Sequence, residues 1–411
     1  MTSTPATQTG PRKAAVAFIF ITVLLDILAF GLIIPVFPHL IASFVEGSIS
    51  QAATWHGIFA TAFMITQFIC SPIQGALSDH FGRRPVILLS NLGLGLDFVL
   101  MALAPSIPWL FIGRILSGVT SASFSTANAY IADVTPPEKR AKAFGMIGMA
   151  FGLGFVLAPA IGGVLGDVHP RFPFWLAAGL CITNFCYGFF VLPESLSQEN
   201  RTPFSWKRAN PVASLLWLRT QPEVLALVFV TFLMALAHLV YPMTFVLYAD
   251  YRFQWGMKEV GYTLGAVGVL GAIVQGGLIG RLKKLLGERR MLLVGSLCGA
   301  VAFFLYGLVP TGMLMLLVLP IGAFWGIAGP AAQAIMTRHI PPNEQGRLQG
   351  AIGSLNSVAG IIGPTIFTRT LATVAASSTP LWYAGATFWL SAALVALAGV
   401  VAWRATRGEP G

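Results

Sequence analysis

Twelve stretches of about 20 mostly apolar residues divide this chain and leave it very few ways to fold. They run roughly over 14–37, 55–77, 86–104, 109–131, 143–166, 172–192, 223–247, 259–280, 291–309, 312–337, 346–370 and 380–403. A helix of about 20 apolar residues spans the hydrocarbon core of a bilayer. Inside that core no water satisfies backbone N–H and C=O groups, so a spanning segment must be a helix or part of a closed barrel. These runs are continuous rather than alternating, which selects helices. Together they use most of the 411 residues, and no stretch remains for a sizeable soluble domain. Only 10% of residues are charged, against about 25% in soluble domains. The 44 glycines and 26 prolines fit membrane helices that pack closely and kink. The expectation is an all-α integral membrane protein with twelve transmembrane helices.

A net charge of +10 could point to nucleic acid, but its distribution gives another reason. Placing the N-terminus in the cytoplasm puts 20 of the 25 lysines and arginines on the cytoplasmic side, from Arg12 and Lys13 to Arg404 and Arg407. Arg171, Arg252, Lys258 and Arg369 fall opposite. That asymmetry obeys the positive-inside rule and predicts both termini in the cytoplasm. It needs no nucleic-acid partner, only the bilayer, whose anionic headgroups suit such loops. The run after Arg12-Lys13 is too long for a signal segment and carries Asp26, so it reads as the first span. Cys70, Cys181, Cys186 and Cys298 all lie in spans and are read as small apolar residues. The sequon at Asn200 falls in a cytoplasmic loop and is read as unglycosylated.

The chain also repeats itself. Shifted by 205 residues, Gly75 and Gly82 fall on Gly280 and Gly287, Pro105 on Pro310, and Pro136-Pro137 on Pro341-Pro342. Gly145, Gly148 and Pro159 fall on Gly350, Gly353 and Pro364. Hydropathy alone does not align glycines and prolines at one constant offset. Two six-helix bundles in the same orientation follow, residues 1–192 and 223–411, with residues 193–222 as a cytoplasmic linker. Parallel repeats of this kind place a substrate site between them near the midplane. Within the linker, Val212 to Leu218 could lie as a short interfacial helix.

Three charges interrupt the apolar runs of the first half: Asp26, Asp97 and Arg114. At bilayer depth such a residue costs at least about 2.5–3.5 kcal/mol, so it faces a protein interior or a watery cavity. Two explanations stand at this point, a proton or substrate path and a structural ion pair between packed helices.

Short motifs add detail. The turn after the second span reads Gly75-Ala-Leu-Ser-Asp79-His-Phe-Gly82-Arg83-Arg84-Pro85. Its glycines permit a tight turn, and Asp79 can meet helix N-termini or Arg83. This resembles motif A of the major facilitator superfamily. Arg114-Ile-Leu-Ser-Gly118 is similar to motif B. The segment with Gly148, Gly152, Gly154, Pro159, Gly162 and Gly163 is similar to the antiporter motif C, which favours efflux over uptake. Leu25-Asp26 through Gly31 and Pro35 to Pro38 resembles the start of the twelve-span drug/proton antiporters, especially the tetracycline efflux proteins. The resemblance covers nearly the whole chain.

It implies that Asp26, Gln67, Asp97 and Arg114 handle substrate and protons. It also implies that Asp79, Arg83 and Asp133 form a cytoplasmic gating cluster, with Gly75, Gly82 and Arg84 in the same turn. A bacterial inner-membrane location and proton-coupled export of tetracycline-like or other amphipathic organic compounds follow from it, with no cofactor and no required oligomer. A self-made metabolite remains an alternative cargo. The second half departs from the pattern. The tetracycline proteins have a carboxylate in span 9 and a histidine in span 8, where this chain has Gly299 and Gly271. No acid lies deep in spans 7 to 12, so metal chelation or coupling there should differ.

His238 stands at membrane depth in span 7. It could titrate near neutral pH or sit neutral and hydrogen-bonded. Asn128, Gln275, Gln333 and Asn356 either line a cavity or bridge helices at roughly 0.6 kcal/mol each. Phe30, Phe63, Phe124, Phe245 and Trp325 form an aromatic wall or simply pack. No Gly-x-x-x-x-Gly-Lys loop, Gly-x-Ser-x-Gly elbow or cysteine cluster is present, which argues against an ATP-driven pump or a membrane enzyme.

Overall fold

The structure is a computed structural model, and it describes residues 11–121, 123–135, 137–203, 218, 221–341, 344–376 and 380–408. Every regular element among these residues is helical. Among them, nine segments are long and apolar enough to cross a membrane. One, Met257–Leu308, runs 52 residues and holds the eighth and ninth expected spans. Two shorter apolar helices, Ile107–Thr120 and Gly152–Val168, belong to the fourth and fifth. The twelve apolar runs are thus accounted for. Most of the second half of the linker, including 212–217, lies outside the described residues.

Helices overrun their apolar stretches where polar turns continue the hydrogen-bond ladder. The second span is Ile49–Phe81, the fifth is Pro137–Val168 and the eleventh is Gln345–Ala376. The seventh continues to Phe253 and so carries Asp250 near its end. There, Asp250 Oδ2 stands 3.6 Å from His39 Nδ1.

The sequence repeat reappears as a repeat of irregularities. Gly82 has φ +108° and Gly287 has φ +71°, both with extended ψ near 160–170°, a region reserved for glycine. The fourth span breaks at Ser121, between Ile107–Thr120 and Ser123–Val134; the tenth turns 3-10 over Phe324–Ile327. Span 1 breaks after Ile33 and resumes at Phe37, while span 7 passes through a π turn at Tyr241–Phe245. Each pair of breaks lies about 205 residues apart.

Packing divides the chain into two compact units. The first comprises Met1–Ile33, Thr66–Ala158 and Arg171–Ala209. Its sixth span, Phe172–Val191, lies against both the first (Pro11–Ile33) and the third (Arg83–Leu103). Phe18, Val23, Ile27, Ile87, Tyr130 and Ile131 fill its core, with Phe18 stacked on Tyr187 at 4.5 Å between ring centres.

The second unit comprises Ile34–Ile65, Pro159–Pro170 and Asn210–Gly411. Its twelfth span, Ala386–Ala405, lies against the seventh (Pro222–His238) and the ninth (Ile279–Leu308). This is the same arrangement one repeat later. Tyr248, Phe303, Tyr306, Phe367 and Phe388 form its aromatic core, pinned by a 2.7 Å hydrogen bond from the Tyr248 hydroxyl to the Tyr306 carbonyl. Because lipid tails are as apolar as these side chains, close packing and such hydrogen bonds hold the helices together.

Segments of the first sequence half join this second unit through close contacts. The Cβ of any residue replacing Gly163 would meet the Met257 carbonyl oxygen and come within 3.0 Å of the Gly261 Cα. His56 Nδ1 lies 3.1 Å from the Met243 carbonyl, and the Thr61 and Thr365 hydroxyls are 3.1 Å apart.

Candidate functional site

Asp26, Asp97 and Arg114 come together around the sixth span. Asp26 is 5% exposed, Asp97 1% and Arg114 7%. Asn184, fully buried on the sixth span, donates from Nδ2 to Asp26 Oδ1 at 3.1 Å and to the Thr22 carbonyl at 3.1 Å. Cys181, one turn earlier, lies within electrostatic reach of both carboxylates. Asp97 Oδ2 accepts from the Ser117 hydroxyl, and Asp97 and Arg114 act on each other electrostatically. Arg114 and Ser117 are three residues apart on one helix and therefore share a face.

Such groups are expensive at this depth, so the fold gathers them rather than scattering them. One acid meets a buried amide, the other a hydroxyl with a guanidinium beside it, and one thiol lies within reach of both acids. This constellation can hold a proton or a cation and exchange it for a change in helix packing. Sequence reading alone missed Asn184, Cys181 and Ser117 as members. A lone asparagine in the apolar run Phe172–Val191 was the available signal.

The other expected pathway residues are more dispersed. Gln67 is half-buried and Asn128 exposed. His238 is exposed and stands beside the rings of Tyr241 and Trp325 at 5.7 and 5.5 Å. Of the suggested aromatic wall, Phe63 and Phe245 are buried at 6% and 1% exposure and serve packing; Phe30 is 38% exposed. Phe124 has a side chain outside the described residues. Gln275 and Asn356 are exposed, Gln333 half-buried.

The turn at Gly75–Pro85 does form a cluster of ions. Arg83 pairs with Asp79 and reaches Asp133 Oδ2 with its Nε at 3.1 Å. The start of the linker locks this turn. Glu194 accepts backbone N–H groups of Arg83 at 2.8 Å, Arg84 at 3.3 Å, Ser195 at 3.0 Å and Leu196 at 3.1 Å. It thus places a negative charge on the positive end of helix Arg83–Leu103, a favourable arrangement. Ser195 adds a hydroxyl to Asp133 at 3.1 Å, and Arg84 Nη2 donates to the Phe189 carbonyl at 2.7 Å. A Cβ at Gly82 would run into the Glu194 carboxylate, so backbone angle and contact both require glycine there. Gly75 has nothing within 4 Å of where its Cβ would be.

Replacing Glu194 by alanine is expected to cost about 1–3 kcal/mol by leaving these donors unsatisfied. The purified variant should unfold at a lower temperature in a thiol-dye melt, and an unchanged midpoint would contradict the capping role.

The second half repeats the cluster with its charges exchanged. Shifted by 205 residues, Arg83 becomes Glu288 and Asp133 becomes Arg338. Glu288 pairs with Arg338 at 2.8 Å and with Lys283 at 2.8 Å. The same two helix ends are therefore tied in both halves, with opposite polarity.

The glycine motif has unequal members. Gly162, Gly163 and Pro159 are buried, whereas Gly152 is exposed with nothing near its would-be Cβ. Gly154 abuts Ile27. The surroundings of Gly148 lie outside the described residues.

At Gly299, where the resemblance leads one to expect an acid, a Cβ would meet the Trp325 indole at 2.6 Å. At Gly271, the Gln275 amide lies 3.7 Å away. The indole leaves no room for a side chain at Gly299, whereas at Gly271 the amide stands at ordinary contact distance.

Comparison with known proteins agrees with this layout. The sequence profile described as the Major Facilitator Superfamily matches residues 19–364. The chain is 37% identical over 370 residues to the class C tetracycline resistance protein of Escherichia coli, covering 90% of this chain and 93% of that protein. It is 31% identical over 359 residues to multidrug resistance protein 2 of Bacillus subtilis (strain 168), covering 85% and 87%. Among solved structures, the human organic anion transporter MFSD10 (TETRAN) superposes with a TM-score of 0.69 at 25% identity, covering 96% of this chain and all of that one. The D-xylose-proton symporter superposes at 0.78 and 18% identity, covering 96% and 98%, a likeness of fold.

Proposed function

This chain belongs to the major facilitator superfamily and is an integral membrane transporter rather than an enzyme, and from that premise we propose that it is a proton-coupled efflux antiporter. Its cargo on this reading is a tetracycline-like or other amphipathic organic compound, and both termini lie in the cytoplasm of a bacterial inner membrane. The observation that carries the reading is the burial of Asp26, Asp97 and Arg114, with Asp26 on Asn184, Asp97 on Ser117 beside Arg114, and Cys181 within reach of both acids. The similarity to proteins named for tetracycline resistance supports the direction and the cargo class.

The mechanism follows from the cost of charge in a closed, dry interior. An ionised carboxylate resists closure around it, and a proton on that carboxylate removes the penalty. Protons entering from outside neutralise Asp97 or Asp26, and the two six-helix halves, 1–192 and 223–411, then rock about the linker. Arg114, the cation beside Asp97, is the countercharge that remains when the proton leaves on the cytoplasmic side. Gln67, Asn128 and His238 belong to the pathway that substrate and protons share. The ion cluster of Asp79, Arg83 and Asp133, in the turn of Gly75, Gly82 and Arg84, ties the cytoplasmic helix ends together in one state and releases them in the other. Gly148, Gly152, Pro159, Gly162 and Gly163 keep the fifth span narrow and bent, and at Gly163 a partner helix meets it.

A pump-deficient bacterial host expressing the chain tests this reading against a panel of tetracyclines and unrelated amphipathic drugs. Lower drug accumulation that a protonophore abolishes is the expected result. Accumulation that ignores the protonophore would overturn proton coupling, and no effect on any drug would point to a metabolite cargo. In everted vesicles, a chelator is expected to leave drug uptake unchanged. Metal chelates need oxygen or nitrogen ligands, and the spaces at Gly299 and Gly271 hold none with a charge. Strict magnesium dependence would place the chelate on Asp26 or Asp97 instead.

A further inference from the structure

Three neutral polar groups of the second unit lie open, close to irregular helix turns, and without hydrogen bonds among the described residues. His238 ends the helix Pro222–His238, just before the π turn Tyr241–Phe245. Gln275 lies within the π turn Ile273–Leu278, and Trp325 within the 3-10 turn Phe324–Ile327. The last two turns touch one another. Mid-helix turns of these types concentrate at functional sites because they free backbone and re-aim side chains.

The groups are neighbours. The His238 and Trp325 rings are 5.5 Å apart at a 37° tilt. Tyr241 closes one side at 5.7 Å from His238. Trp325 is seated on Gly299, with Phe303 edge-on at 5.1 Å. The Gln275 amide packs on Gly326, the residue after Trp325, 3.1 Å from where a Cβ would stand. Among the described residues their side chains meet rings and packed glycines rather than hydrogen-bond partners. His238 and Gln275 are exposed and Trp325 half-buried. A histidine and a glutamine with no partner do not face hydrocarbon cheaply, so this face opens onto water or a ligand.

The repeat sharpens the assignment. One shift of 205 residues takes Asp26, Asp97 and Arg114 to Thr231, Ala302 and Leu319. The same shift takes His238, Gln275 and Trp325 back to Ile33, Cys70 and Thr120. At the counterparts of Asp26, Asp97 and Arg114 the second half carries no charge, and at the counterparts of His238, Gln275 and Trp325 the first half carries no ring or amide.

We propose that His238, Gln275 and Trp325 form a cargo-binding subsite for a flat fused-ring compound without a required positive charge. The Trp325 and His238 rings cover the faces of the cargo, and the Gln275 amide and the indole and imidazole N–H groups meet polar substituents on its edge. None of these three groups is a carboxylate, so binding does not rest on an ion pair with the cargo. This rests on the reading of the chain as an exporter, and the experiment separates the two.

The test uses the full-length protein in nanodiscs with doxycycline as the probe, binding being followed by quenching of tryptophan fluorescence and by equilibrium dialysis. Trp325→Phe is expected to remove a large share of the quenching while keeping most of the affinity measured by dialysis. His238→Ala and Gln275→Ala are each expected to weaken doxycycline binding by about threefold to tenfold and to raise the transport KM more than they lower kcat. Unchanged doxycycline affinity in both His238→Ala and Gln275→Ala overturns the subsite, whatever the chain transports. If the variants lose affinity while the parent moves no protons, the subsite stands and the antiport reading falls.

Discussion

Replacing Asp97 by asparagine is expected to abolish proton-coupled transport while the protein still reaches the membrane. Asparagine keeps the shape and can still accept from the Ser117 hydroxyl that now bonds Asp97 Oδ2. It cannot bind and release a proton. Asp26→Asn should behave alike, because its amide oxygen can still accept from Asn184. A complication is that Arg114, 7% exposed, would lose its neighbouring negative charge. Breaking one side of a buried ion pair costs about 3–5 kcal/mol. The double variant Asp97→Asn with Arg114→Gln removes both charges and relieves that cost. If the pair is merely structural, the double variant regains folding and transport together. On the present account it regains folding alone, measured as size-exclusion behaviour beside vesicle uptake.

Gly163→Leu is the second change with a large expected effect. The Gly163 backbone crosses that of Met257 to Gly261 so closely that any Cβ meets a carbonyl oxygen. Overpacking of this kind costs roughly 1–3 kcal/mol, and backbone cannot swing aside as a side chain can. The crossing joins the fifth span to the eighth, helices from different halves of the sequence repeat, so a wedge there should hold the halves apart. Transport is expected to fall at least about tenfold, the rate equivalent of roughly 1.4 kcal/mol. Gly152→Ala, in the same motif but with open space around it, should transport normally. Equal loss in both variants would mean that the motif acts by helix flexibility rather than by contact.

The positions of the spans were legible because lipid imposes one length and one polarity on every crossing segment. What escaped was everything set by tertiary contact. The apolar run 109–131 reads as one helix, yet the chain breaks at Ser121, since hydropathy carries no record of backbone angles. The polar stretch 281–290 reads as a loop and is instead helical on both sides of Gly287, because its side chains find ion partners such as Lys283 with Glu288. Asp26, Asp97 and Arg114 stood out by charge alone. Asn184 and Ser117 did not, since single amides and hydroxyls are common in membrane helices and only the fold shows which of them face an acid. Glu194 sat in a stretch read as linker, and its value as a cap depends on a contact with residues 83 and 84. The repeat was visible as glycines and prolines, while its charge-exchanged ion pair needed both ends of each bond.

The central claim is exchange of cargo for protons through one protein. Purified protein in liposomes carrying a pH-sensitive dye, with no imposed gradient, tests it when doxycycline is added to one side. The account predicts that doxycycline moving down its own gradient drives protons the opposite way, that Asp97→Asn stops both fluxes, and that a protonophore collapses the pH signal. Doxycycline movement at the parental rate with no pH change would contradict it, because a carrier built around exchangeable carboxylates cannot move cargo and leave its protons behind.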